Sequence, residues 1–127
     1  MCSSDLCRFL IAIAGIYGSA GVALAAWASH RAGGESLMTA AYFLLLHAGP
    51  ILAVGLAPAR RRMLAGALIL ALGAALFSGD LALRGMAGLK PWPMAAPAGG
   101  LLLIFGWLWL AVAACLPGGQ YGPGKSA

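Results

Sequence analysis

Apolar residues run in four long blocks along this chain, and polar positions fall almost entirely between them. The blocks cover residues 9–29, 37–57, 63–84 and 97–116, each near the roughly 20 residues that cross a bilayer core. In lipid each backbone N–H and C=O must pair within its own segment, so four blocks predict four helices. The expected fold is all-α: a polytopic membrane protein built as a four-transmembrane-helix bundle with short loops. Residues 9–116 make up this domain. Residues 1–8 precede it, and a Gly- and Pro-rich tail at 117–127 is expected to be flexible. Residues 1–6, MCSSDL, match what the end of a common sequencing adapter would encode from a GTG start, so they are set aside as an artefact.

Composition excludes an ordinary soluble domain: 62% of residues are hydrophobic and 9% charged, against roughly a quarter charged in soluble proteins. The net charge of +5 does not point to nucleic acid, because the basic residues are spread over the block ends rather than gathered on one face. They sort by side. Arg8, Arg60, Arg61, Arg62 and Lys125 lie at one set of ends and Arg31, Arg84 and Lys90 at the other. The excess of basic residues predicts that both termini and the triple-Arg loop are cytoplasmic.

Small residues recur at helical spacing. Gly15, Gly18 and Gly21 repeat every three residues, and Ala67, Ala71, Ala75 and Gly79 every four. Small side chains let helices approach closely in lipid, so these stripes are expected to be packing seams. Further on, Pro91, Pro93 and Pro97 interrupt residues 88–100, predicting an irregular cap over the outer ends, with Gly99 and Gly100 permitting close backbone approach after it.

The polar residues singled out within or beside the blocks are His30, His47, Ser78, Asp80 and Arg84. Ionisable groups in a membrane are costly and usually face a bundle interior, which makes these five the candidate polar site. Asp80 and Arg84 stand at i,i+4 and can pair. His47 has about ten residues of its block on either side and so lies near the midplane, with Pro50 three residues later. On sequence alone, replacing His47 with Leu is expected to stabilise a purely structural bundle or leave it unchanged, since it removes a polar group from lipid.

Catalytic and cofactor chemistry finds little material. His30 and His47 differ in depth by roughly 15 Å, which rules out a bis-His haem. No Glu-x-x-His, HExxH or Cys cluster suggests a metal, and Cys7 and Cys115 are expected to be thiols. GxSxG and GxGxxG patterns are missing. The chain is therefore expected not to be an enzyme and to need no cofactor or metal.

Several elements together carry a resemblance. They are Ala28, Ser29 and His30; Thr39 and Ala40 ahead of His47 and Ala48; Phe77, Ser78, Gly79 and Asp80; and residues 93–100 (PMAAPAGG) leading to Gly106 and Trp107. In this combination the chain resembles the small membrane proteins of domain-of-unknown-function family 423. The resemblance implies a four-helix bundle of the bacterial inner (plasma) membrane and leaves the activity open. The chemistry favours a non-enzymatic bundle that packs with lipid, with further copies of itself or with other membrane proteins. The alternative is a small transporter or proton-linked binding protein using the polar site in the outer half.

Overall fold

A computed structural model describes residues 4–32, 34–58, 60–90 and 92–117. It contains four helices: α1 (Ser4–Ser29), α2 (Glu35–Leu56), α3 (Arg61–Ala87) and α4 (Ala95–Cys115). All four are long and apolar enough to cross a membrane. Most of the tail expected to be flexible lies outside the described residues, as do residues 1–3 of the segment set aside. Cys115 is a free thiol, whereas Cys7 is disulfide-bonded, which corrects the expectation of a thiol there.

Each helix packs along its neighbour in sequence, α1 on α2, α2 on α3 and α3 on α4, while α1 meets α3 only briefly. Among the described residues, neither α1 and α4 nor α2 and α4 lie close backbone to backbone. The helices thus pack as an open series with α2 and α3 as the inner pair. The core follows from this. Leu10 and Ala14 of α1, Ile51 of α2, Leu64, Ala67, Leu70, Ala71 and Ala74 of α3, and Leu103 of α4 form one buried cluster. Outward, Ile16, Tyr42, Leu46, Leu72, Leu101 and Leu108 are exposed. In water such a belt would be a liability, whereas in a bilayer it faces acyl chains.

The tightest seam runs between α3 and α4 and is made of glycines seven residues apart. A Cβ on Gly99 would lie 2.5 Å from the Phe77 backbone nitrogen, and one on Gly73 would lie 3.0 Å from the Leu103 nitrogen. One turn or two further along, Gly66 receives Leu110, and Gly106 receives Leu70. Gly66 and Gly73 on α3 thus face Gly99 and Gly106 on α4, and all four are buried. Backbone contact at this range is how helices associate where solvent does not drive burial.

The seams expected from sequence are redistributed. Ala67 and Ala71 are buried, 0% and 4% exposed, on the core side of α3. Ala75 is exposed, and a Cβ on Gly79 would meet nothing within 4 Å. The stripe slips off the contact because a strict four-residue repeat drifts around a helix of 3.6 residues per turn. Among the described residues a Cβ on Gly15 or Gly18 likewise meets nothing within 4 Å, and of the three α1 glycines Gly21 packs, against Leu45 and the Ala41 carbonyl of α2.

The helix ends are set by local chemistry. Gly88 closes α3 with φ 63°, the left-handed conformation that favours glycine, and its N–H donates to the Arg84 carbonyl. Pro97 falls in the first turn of α4, where a missing N–H costs little. Trp92 shares a side groove with Leu76, Gly79 and Asp80 of α3 and Ala95 of α4.

Candidate functional site

The five polar residues separate into three places. His30 is exposed in the turn after α1, its N–H donating to the Trp27 carbonyl. The neighbouring Arg31 guanidinium lies 5.6 Å from the Trp27 ring centre, a cation–π contact at the rim. Neither forms part of an interior site.

His47 lies at the centre of the bundle and is 2% exposed. One ring nitrogen, Nδ1, stands 2.7 Å from the Phe43 carbonyl one turn earlier, and the other, Nε2, receives the Trp107 indole N–H at 3.2 Å. A neutral ring with its proton on Nδ1 makes both bonds, donating through one nitrogen and accepting through the other. Phe43 stacks on His47 at 5.8 Å and meets Phe77 of α3 at 4.3 Å between ring centres. Aromatic side chains thereby join three helices at one level, and Trp107 reaches across to α2 where the backbones do not approach.

Ser78 and Asp80 are buried at 1% and 3% exposure. Arg84 Nε lies 2.7 Å from Asp80 Oδ2, the i,i+4 pairing that the spacing allows. The contact has the distance of an ion pair but is misaligned for a hydrogen bond. Both Asp80 oxygens and Arg84 Nε consequently lack a hydrogen-bond partner, and so, separately, does Ser78 Oγ. Antiparallel packing of α3 on α4 brings Asp80 level with the first turn of α4, since both line the same groove. The positive end of the α4 dipole favours a carboxylate there.

His47 and Asp80 do not form one site. Among the described residues no hydrogen bond or ion pair connects them. His47 turns to α4 through Trp107, whereas Asp80 turns to Arg84 and the groove beneath Trp92. Spacing along each helix could place the two residues in the same outer half but could not fix their azimuth.

Sequence reasoning missed two features. Trp107 was not legible as the partner of His47, which depends on the α3–α4 crossing. The i,i+7 glycine pairs, 66 with 73 and 99 with 106, were present in the sequence. A search for heptad spacing of glycine in two separate spans would have found them. Tyr17 adds a third interhelical link, its hydroxyl donating to the Ala71 carbonyl.

Fold and site together define a four-span helical membrane protein whose interior polar groups are held between helices. The chain belongs to the family described as protein of unknown function DUF423, which matches residues 15–100. That stretch contains His30, His47, Asp80 and Gly99 and ends before Gly106 and Trp107. No curated protein and no solved structure matches the chain.

Proposed function

We propose that this protein is a non-enzymatic helical bundle that acts by packing with membrane partners, further copies of itself or lipid. Its setting in this reading is the bacterial inner (plasma) membrane, with both termini cytoplasmic. The observation that carries it is the engagement of both ring nitrogens of His47, by the Phe43 carbonyl and the Trp107 indole. A relay histidine exchanges its proton with water or a titratable group at a ring nitrogen, whereas this ring faces a backbone carbonyl of its own helix at one nitrogen and the indole N–H of α4 at the other. Gly15 and Gly18 support the same reading, because they leave one face of α1 open to close approach from outside the chain.

One observation favours the alternative of a small transporter or proton-linked binding protein. The Asp80 carboxylate is buried and its oxygens lack hydrogen-bond partners. Vesicles enclosing a pH-sensitive dye separate the two readings. With purified protein in the bilayer and a pH step imposed, packing alone gives proton leakage equal to protein-free vesicles. Leakage above that level, lost in both His47→Leu and Asp80→Asn, would overturn the proposal in favour of transport. Orientation is tested by cysteine labelling at Gly118 and Gly33: external reagent should reach the second position and not the first in intact cells.

A further inference from the structure

We infer that the triple-Arg end of the bundle carries a binding site for an anionic phospholipid, one acyl chain lying in the cleft between α2 and α4 and the headgroup phosphate on Arg60 and Arg61. The inference rests on the packing reading and deepens it by naming the lipid class.

The cleft arises from the layout of the helices. Since α2 and α4 pack on α3 but not on each other, a gap opens between them. Toward the bundle centre Trp107 bridges the gap to His47. Some six residues further along each helix, about 9 Å at 1.5 Å per residue, the side chains are too small to close it. A groove of about 510 Å³ remains, lined by Ala53 and Val54 of α2, Ala57 just after it, Met63 of α3, and Ala113 and Ala114 of α4. That volume falls within the roughly 300–1,000 Å³ of small-molecule sites. Its walls belong to membrane-spanning helices, so the occupant at hand is lipid.

Charge at the mouth selects among lipids. Arg60 lines the groove, and Arg60 and Arg61 are exposed. Arg62 is engaged differently, donating to the Pro117 carbonyl while its own carbonyl accepts from the Trp109 indole. Among the described residues no acceptor pairs with Arg60 or Arg61, and Asp5 is the one acidic residue at this end of the bundle. Two exposed guanidinium groups, Arg60 lining the apolar groove and Arg61 next to it in sequence, complement a phosphate attached to an acyl chain, and basic pockets between membrane helices bind such headgroups.

The test measures the melting temperature of the full chain in neutral detergent. Added lipid is phosphatidylglycerol or phosphatidylcholine of identical acyl chains, and glycerol phosphate serves as the headgroup alone. Phosphatidylglycerol should raise the melting temperature where the other two do not. The double variant R60Q/R61Q should bind it about thirtyfold more weakly, at roughly fivefold per charge. A114F, which keeps both charges but fills the groove, should also lose the preference. Melting of each variant in phosphatidylcholine alone reports whether it folds, and the wild-type comparison of the two lipids stands without any variant. Equal stabilisation by both lipids would overturn the inference, as would an unchanged preference in R60Q/R61Q. Glycerol phosphate matching the lipid would do the same, and so would a dimer that A114F converts to monomer. Failure of the packing reading would appear instead as proton leakage in the vesicle assay, which does not involve this groove.

Discussion

Removing either side of the His47–Trp107 hydrogen bond should loosen α4 from α2, and the loss should be shared between the two residues rather than additive. The bond is long at 3.2 Å but has little competition at this depth. Interhelical hydrogen bonds in membrane bundles contribute roughly 0.6 kcal/mol on average and up to about 1.7. His47→Leu also leaves the Trp107 N–H without its acceptor. An orphaned buried donor costs about 1–3 kcal/mol, and since Trp107 is 44% exposed and can turn outward, the lower half of that range applies. The single variants His47→Leu and Trp107→Phe should each cost about 1–2 kcal/mol, and the double variant about the same as either alone. The coupling energy is then about 1 kcal/mol. Unfolding of the purified chain in mixed micelles, followed by the helical circular dichroism signal, measures all four corners of the cycle. Additive single effects, with coupling under about 0.3 kcal/mol, would show that the bond does not hold the helices. A stabilised His47→Leu would restore the reading from sequence alone, in which the imidazole is merely a polar group in lipid.

The glycines should behave in opposite ways. Gly99→Ala forces a methyl to within 2.5 Å of the Phe77 backbone and should cost about 3 kcal/mol or more, at the upper end of overpacking penalties. Gly18→Ala meets nothing within 4 Å and should stabilise by about 0.5–1 kcal/mol through helix propensity, both read as shifts in the same unfolding curves. Ala71→Leu, at a 4% exposed core position beside the Tyr17 contact, should cost about 1–3 kcal/mol; unchanged unfolding would place that face in lipid. Arg84→Met should destabilise by about 3–5 kcal/mol, because it leaves the Asp80 carboxylate buried and uncompensated, while Arg84→Met with Asp80→Asn should recover most of the loss; equal losses in the single and double variants would refute the pairing.

Four helices and their approximate limits were legible because lipid imposes one solution on a long apolar run. The helices exceed the blocks by several residues at the ends of α1 and α3, where Arg8, Arg61 and Arg62 continue the helix beyond the purely apolar stretch. Hydropathy marks where lipid begins, whereas backbone hydrogen bonding continues until a breaker such as Gly88. The polar residues were legible one by one and their grouping was not. His47 finds its partner 60 residues away on a helix whose rotation is set by Gly73 and Gly99, and no spacing within a single helix encodes that rotation. Alanine misled for a related reason. In a chain where it is common, a four-residue repeat identifies no face, whereas glycine in a membrane helix is retained at a cost in helix propensity.

The absence of close packing between the first and last helices affects how the chain is made as well as how it stands. Each extensive interface joins helices adjacent in sequence, so only side-chain links such as Tyr17 to Ala71 and His47 to Trp107 wait for a helix made later. The first hairpin can settle as soon as the second helix is inserted, and the second can form its glycine seam independently before the two halves meet. Such an order keeps contacts local and searching short. It also leaves the outer flanks of α1 and α4 as the last surfaces to find neighbours, after the rest of the molecule has stopped rearranging.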